Sequence, residues 1–428
     1  MENQIELQAT SGERKWNLLV IGSITLLTIL AFFPTFTNGF QMEWDDQWMV
    51  VNSQTVGRPS KYLLLNIFTA PSHGQIAPVN QLIYTLLYRC FGLVPLPYHV
   101  TCLLLHLINI YLLFVGLRMI LNDCTKIPAT RAKWIVAITT VLFAIHPLQV
   151  ESVAWISASK IPLSTTFYFA GSIMLIKHLR KTNYWWYAGA LLMQLLAYLS
   201  KEQAVVFPLF AALLFLWYGI RLKDKRFWFG LIPFGILGLV SLVHEVFYVA
   251  NYDLYILGDT YVWWQRMIFC VYSVITYFFK WLVPINLNWM YLFPIGMDED
   301  MPWWLILYPI LAVVLIYASW NWLKKPLVAS LLAFFIIHLL LVIHITVLPR
   351  ASVVADRYMY ISVISLNFVF AYIITGIGRL VKYSKLKIAI LSLVIAILVG
   401  VSYSRTMDWR DSKTLRSVFQ VEGSSSVR

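Results

Sequence analysis

Long apolar runs recur along the whole chain and are separated by short polar segments. These runs lie at 16–36, 98–121, 133–146, 161–179, 184–200, 203–220, 227–249, 303–323, 326–348, 359–378 and 386–404. A helix of about 20 apolar residues crosses the ~30 Å hydrocarbon core of a bilayer. The pattern therefore predicts an all-α integral membrane protein with about eleven transmembrane helices.

The composition agrees with a chain that folds in lipid. Hydrophobic residues make up 60% of the 428 residues and charged residues only 12%, whereas soluble domains carry about 25% charged residues. The first run follows Arg14 and Lys15 without a small-residue cleavage site, which predicts a membrane span and not a cleaved signal peptide. The net charge of +13 is spread over short loops, which indicates membrane topology and no nucleic-acid partner.

The basic residues between the runs predict which loops face the cytoplasm. Basic clusters lie at 14–15, 126–133, 177–181, 221–226, 324–325 and 379–387, and the positive-inside rule assigns all of them to the cytoplasm. Three runs occur between Arg226 and Lys324, and the middle one, of about 13 residues, is too short to span. We therefore expect an interfacial or re-entrant helix near 267–283, a cytoplasmic N-terminus and an external C-terminus.

One transmembrane domain, 1–405, is predicted, followed by a short external tail, 406–428. The first external loop is longer than a connector needs to be, and we expect it to carry in-plane helices near 59–69 and 78–91. The predicted external loops are 37–97, 147–160, 200–203, 250–302 and 349–358.

The most prominent acidic residues follow the first span directly. Glu43, Asp45 and Asp46 lie within four positions of one another, and carboxylates at a membrane surface are costly to desolvate. Such a pair of aspartates can supply a general base for a hydroxyl group or hold a divalent cation such as Mg²⁺ or Mn²⁺. The alternative is a solvated loop that caps the next element.

Cationic residues accompany carboxylates in the other predicted external loops. Arginine and lysine there suit a phosphate or pyrophosphate group, because each donates several hydrogen bonds to it. The alternative is that Lys201 with Glu202, and Asp356 with Arg357, form ion pairs that only pin their loops. The candidate residues of these loops are His146, Glu151, Lys160, Lys201, Glu202, Arg350, Asp356 and Arg357.

The order of these motifs resembles a known family. Asn38-Gly39-Phe40, Trp44-Asp45-Asp46 and Asn52 are similar to the first luminal loop of the C-type (GT-C) glycosyltransferase superfamily. The similarity is greatest to the membrane region of the O-mannosyltransferases that carry tetratricopeptide repeats, and to their bacterial relatives. It continues through FGLVPLPYHVTCLLLHLIN (91–109), LFAIHPLQVESVAWISASK (142–160), LSKEQAVVFPL (199–209), ADRYMYIS (355–362) and WRDSKTL (409–415).

This resemblance implies an inverting transfer of a sugar, a hexose such as mannose, from a polyprenyl-phosphate donor on the periplasmic or luminal face. The acceptor would be a protein Ser/Thr, a lipid or a glycan. A first-loop aspartate, Asp45 or Asp46 with Asp45 favoured, would be the general base. Basic residues would bind the donor phosphate: Lys160, Lys201, Arg350 and Arg357. Supporting residues would be Glu43, His146, Glu151, Glu202 and Asp356.

The chain departs from the family pattern in two loops and at its end. Ala77-Pro78 stands where relatives carry Arg-Pro, and 158–161 lacks their Arg and Asp. The chain ends where the repeats would begin, so we expect acceptor binding without them. The loops carry no added domain, which favours a location in a bacterial inner membrane; in a eukaryote the expected location is the endoplasmic reticulum membrane. A lipid transporter or flippase and a non-catalytic membrane scaffold remain alternatives, although transporters place more charge in mid-span.

Overall fold

In the computed structural model of the protein, the structure describes residues 2–57, 67–68, 77–250, 261–296, 299–345, 352–376 and 384–423. Helices dominate these ranges. The longer ones are α1 (Glu2–Ala31), α2 (Pro78–Phe91), α3 (Pro95–Cys124), α4 (Ala129–Ile145), α5 (Lys160–Arg180), α6 (Tyr184–Tyr198), α7 (Phe207–Trp217), α8 (Lys225–Ala250), α9 (Trp263–Leu282), α10 (Leu307–Leu323), α11 (Pro326–Leu339), α12 (Met359–Gly376), α13 (Ser384–Asp408) and α14 (Ser412–Gly423).

Short helical turns and one strand pair complete the described structure. The strands β1 (Tyr291–Leu292) and β2 (Ser352–Val354) pair antiparallel, with Tyr291 opposite Val354. The helical turns are Phe33–Thr37, Gln47–Val51, Gln54–Gly57, Pro147–Gln149, Val150–Ala154, Ile156–Ser159, Glu202–Val206, Trp303–Ile306 and Asp356–Tyr358.

Each apolar run of the sequence contains a helix, but the helices differ in length. Among the described residues, six helical segments are long and apolar enough to cross a membrane, and α4 with the helical turns at Pro147–Ala154 makes a seventh if this pair, bent by 53°, is one span. The described ranges therefore fit an all-α membrane protein and contain six to seven candidate spans. The count of eleven stays a prediction, because helices such as α7 and α11, of 11 and 14 residues, are shorter than a full crossing.

Burial separates an inner group of helices from an outer one. In α4 nearly every residue from Ile135 to Ile145 is buried, and this helix packs against α3 and α12. By contrast, α10 has no buried residue, and Val313 and Tyr317 are 67% and 83% exposed. Outward faces of this kind are apolar, as expected of helices whose solvent is lipid.

Helices are present at two of the three positions predicted for in-plane or interfacial helices, and the third position lies largely outside the described ranges. Helix α2 has the predicted bounds of 78–91, whereas of 59–69 only 67–68 are described. Helix α9 begins at Trp263, earlier than the predicted 267, and runs for 20 residues. Its Ser273 and Tyr277 contact the segment before α12, at Val353 and Ala355. Its position relative to the membrane stays a prediction.

The predicted tail boundary at residue 405 falls inside a helix. Helix α13 continues to Asp408, and α14 follows after a short turn. The extension is stabilised because Arg405 and Thr406 are buried, with Thr406 Oγ1 donating to Ser402 O at 2.7 Å. Trp409, Ser412 and Leu415 of the segment from 406 are also buried, whereas its external position stays a prediction.

Candidate active site

The side chain of Asp46 links the first predicted external loop (37–97) to the second predicted external loop (147–160). Its Oδ2 accepts a hydrogen bond from the backbone N–H of Gln41 at 2.9 Å. Its Oδ1 accepts from the backbone N–H and the hydroxyl of Ser157, at 2.8 and 2.5 Å. Burial raises the pKa of Asp46 to about 6, although these hydrogen bonds act in the opposite direction. Both oxygens are thus directed at protein donors.

Asp45, the preceding residue, lies in a different environment. Its side chain is partly exposed, and among the described residues it takes part in no hydrogen bond or ion pair. It is within electrostatic range of Lys160 and Arg357. The carboxylate of Asp45 is therefore accessible and lies close to positive charge.

Three of the predicted phosphate-binding cations come together at this end of the bundle. Lys160 begins α5, Lys201 lies in the break between α6 and α7, and Arg357 precedes α12. Lys160 interacts electrostatically with Lys201, Arg357 and Asp45. Lys201 and Arg357 also line the same small cavity, of about 30 Å³. The fold thereby brings three cations together, of which Lys201 is paired with Glu202 and Arg357 with Glu151.

Arg357 is held by Glu151, a partner from another loop. The Nη1 of Arg357 pairs with Glu151 Oε1, and its backbone N–H donates to Glu151 Oε2 at 2.8 Å. Glu151 is buried. The guanidinium lies 4.8 Å from the ring centroid of Tyr358 and 5.5 Å from that of Trp155. These contacts hold the guanidinium in one orientation. A guanidinium is planar, and its N–H groups can donate paired hydrogen bonds to a phosphate.

The ion pair considered between Asp356 and Arg357 is not formed. Asp356 Oδ1 accepts from the hydroxyl of Tyr291 at 2.8 Å, and its Oδ2 lies 4.0 Å from Arg405 Nη2. The two neighbours lie on one short helical turn, so their side chains point in different directions. The pair between Lys201 and Glu202 is present.

Glu43 and His146 contact protein groups at the edge of this region. Glu43 pairs with Arg416 of α14. The Nε2 of His146 lies 3.0 Å from the carbonyl oxygen of Trp281, and its Nδ1 accepts from the backbone N–H of Leu148 at 3.2 Å. His146 therefore connects the end of α4 to α9.

The segment after α13, predicted from the sequence to be a short tail, contacts the first loop and Trp155. Trp409 stacks on Trp155 with ring centroids 5.4 Å apart. The carbonyl oxygen of Trp409 accepts from Gln41 Nε2 at 2.6 Å, and that of Arg410 accepts from the N–H of Gly39 at 2.8 Å. The WRDSKTL motif (409–415) marks this segment in the sequence, but no local pattern indicates which residues it contacts.

Two predictions for the site stay untested. Arg350 lies outside the described residues. Within the described ranges, no group of three or more His, Cys, Asp or Glu side chains is placed to hold a metal ion. Metal binding by Asp45 and Asp46 stays a prediction.

Comparison with known proteins gives one partial match. No protein-family model matches the chain. Over 196 residues, 44% of its length, the chain is 26% identical to the protein O-mannosyl-transferase Tmtc1 of Drosophila melanogaster. The match spans only 22% of that protein. This similarity supports a distant relationship to the O-mannosyltransferases, while membership of the C-type superfamily stays a prediction.

Proposed function

We propose that this protein is a membrane glycosyltransferase that transfers a sugar from a polyprenyl-phosphate donor to an acceptor hydroxyl, with inversion. The local similarity to an O-mannosyltransferase supports the reaction class. The observation that carries the proposal is the partly exposed carboxylate of Asp45 within electrostatic range of Lys160 and Arg357. A base and a phosphate-binding group are the two functions that this transfer requires.

The proposed base is Asp45, and Asp46 positions it. Asp45 takes the proton of the acceptor hydroxyl while the acceptor oxygen forms a bond to the anomeric carbon. The hydrogen bonds of Asp46 to Gln41 and Ser157 hold the adjoining backbone against the second loop. Pre-organisation of this kind keeps the base within reach of the acceptor.

The leaving group is the lipid phosphate, which departs with the electron pair of the broken carbon–oxygen bond. Negative charge therefore grows on the phosphate in the transition state. Lys160, Lys201 and Arg357 are proposed to stabilise that charge, and Arg350 is proposed as a further ligand. Glu151 keeps the guanidinium of Arg357 oriented toward the donor.

Sugar transfer by purified protein tests the proposal, with synthetic polyprenyl-phosphate mannose as first donor and peptide, lipid and glycan acceptors. We expect Asp45→Asn to lower kcat by about 10²-fold or more, as loss of a general base does. Asp300→Asn is the matched control, because Asp300 is an exposed aspartate of the predicted external loop 250–302, and it should keep full activity. Full activity of Asp45→Asn would refute the base assignment. Absence of turnover by the wild-type protein with every donor would favour a transporter or scaffold.

A further inference from the structure

A large cavity lies within the bundle at the end away from Asp45 and Asp46. Its volume is about 650 Å³, within the range of pockets that bind small molecules. It is bordered by the connection between α3 and α4, the end of α7 and the start of α11, at Pro128, Trp217 and Pro326. The candidate active site, by contrast, lies where α4 ends and α5 and α12 begin.

The walls of this cavity are apolar and its rim is basic. Wall residues include Leu113, Phe169, Ile173, Phe210, Leu331 and Phe368, and the rim carries Lys126 and Arg131. An apolar space of this size in a membrane protein suits a hydrocarbon chain, because a chain replaces the missing dispersion contacts of the walls. Cations at its mouth suit a negatively charged headgroup.

Arg131 is held at the rim of the cavity by hydrogen bonds to α12. Its Nη2 donates to the carbonyl oxygen of Tyr372 at 2.8 Å and its Nε to Thr375 Oγ1 at 3.3 Å. The guanidinium carbon lies 4.3 Å from the ring centroid of Tyr372. Lys126, on the same rim, is exposed. A guanidinium and an exposed ammonium on the same rim can both donate hydrogen bonds to a phosphate group.

We propose that this cavity binds an anionic phospholipid, with an acyl chain between the helices and the phosphate at Arg131 and Lys126. The inference does not depend on the proposed transferase activity. A basic pocket between membrane helices is a known kind of site for acidic lipid headgroups. The predicted topology places this rim in the cytoplasmic leaflet, where anionic lipids are concentrated.

Aromatic side chains separate this cavity from the cations of the candidate active site. Tyr168 and His338 line the small cavity that contains Lys201 and Arg357, and they are hydrogen-bonded at 2.8 Å. Phe210 lines the large cavity and contacts both rings. The large cavity is thereby assigned to a lipid distinct from the glycosyl donor.

Lipid binding by the purified, delipidated full chain, measured by native mass spectrometry, tests the headgroup assignment. Phosphatidylglycerol and phosphatidylcholine with identical acyl chains are compared. We expect the wild type to prefer phosphatidylglycerol. Lys126→Gln and Arg131→Gln should each weaken its binding by about fivefold, which corresponds to ~1 kcal/mol per cation. Lys181→Gln, which removes an exposed lysine of the same end outside the cavity, should leave binding unchanged. Equal binding of both lipids, or equal effects of Lys126→Gln and Lys181→Gln, would overturn the proposal.

A steric variant tests the position of the acyl chain. Gly116 lines the cavity, and a Cβ placed there meets only Ile173 Cγ1, at 3.8 Å. Gly116→Leu should therefore occupy the cavity and weaken binding of both phospholipids, whereas Gly400→Leu, where a Cβ meets no atom within 4 Å, should not. Unchanged binding in Gly116→Leu would refute the assignment of the chain. Displacement of phosphatidylglycerol by an equimolar polyprenyl phosphate would assign the cavity to the donor lipid instead.

Discussion

The two adjacent aspartates show how strongly environment separates identical side chains. Asp46 is buried and its carboxylate receives hydrogen bonds from Gln41 and Ser157. Asp45 is partly exposed and lies near Lys160 and Arg357. Substitution should therefore affect stability at Asp46 and transfer at Asp45.

Replacing Asp46 should destabilise the fold in a pH-dependent way. An amide at this position can accept with only one atom, so Asp46→Asn leaves a buried donor unpaired, at a cost of about 1–3 kcal/mol. The pKa of Asp46 is raised from 3.8 to about 6, so between these values the folded state holds a proton that the unfolded chain has released. The contribution of Asp46 to stability, measured as the difference between the wild type and Asp46→Asn, should fall as the pH rises across this interval and then level off.

Thermal unfolding from pH 4 to pH 8 measures both effects, with Asp45→Asn as the matched control. Asp45→Asn should follow the wild-type curve. A difference in stability between the wild type and Asp46→Asn that grows from pH 4 to pH 6, or an unchanged midpoint for Asp46→Asn at pH 7, would contradict this account.

Glu151 should matter chiefly through Arg357. In Glu151→Gln the guanidinium loses its charged partner, so a donor phosphate meets a less ordered group. We expect the KM for the donor to rise by about tenfold, equivalent to ~1.4 kcal/mol, with a smaller change in kcat. Steady-state kinetics over donor concentration separates the two constants. Glu13→Gln, which removes the carboxylate of the Glu13–Arg118 ion pair outside this site, is the control for the loss of a glutamate charge alone, and an equal rise in KM there would argue against the role of Glu151.

At the scale of elements, the extension of α13 places the residues that follow it against the first loop. The helix runs to Asp408, which brings Trp409 against Trp155 and the backbone of Arg410 to Gly39. The loop bearing Asp45 is thus held from two sides, by the second loop and by the chain after α13. Both contacts join parts of the chain that are far apart in sequence.

Removing the indole of Trp409 should loosen this arrangement. Trp409 is only 1% exposed, and a Trp→Ala change at a buried position costs about 3–5 kcal/mol. Trp409→Ala should lower the thermal midpoint and make the first loop more accessible to proteolysis. Trp409→Phe keeps an aromatic ring against Trp155 and should recover most of the loss. If the first loop were cleaved as readily in Trp409→Phe as in Trp409→Ala, the proposed role of the ring contact with Trp155 would be contradicted.

For the whole molecule, the predicted sidedness can be measured with the native cysteines. Cys90, at the end of α2, is exposed, and Cys124 ends α3 at the opposite end of the bundle. The predicted eleven-span topology makes Cys90 external and Cys124 cytoplasmic. A membrane-impermeant thiol reagent should label Cys90 in right-side-out vesicles and Cys124 in inside-out vesicles. Cys90→Ser and Cys124→Ser identify each signal, and labelling of both from one side would refute the topology.

The sequence alone determined the helical membrane class and the place of most helices, because apolar runs and their polar breaks are local properties of the chain. It also indicated that the first-loop acids and Lys160, Lys201 and Arg357 belong to one region. Tertiary structure decided the partners: Asp46 with Ser157, Arg357 with Glu151, and Trp409 with Trp155. Those choices depend on side-chain direction and on contacts between distant segments, which no local pattern records.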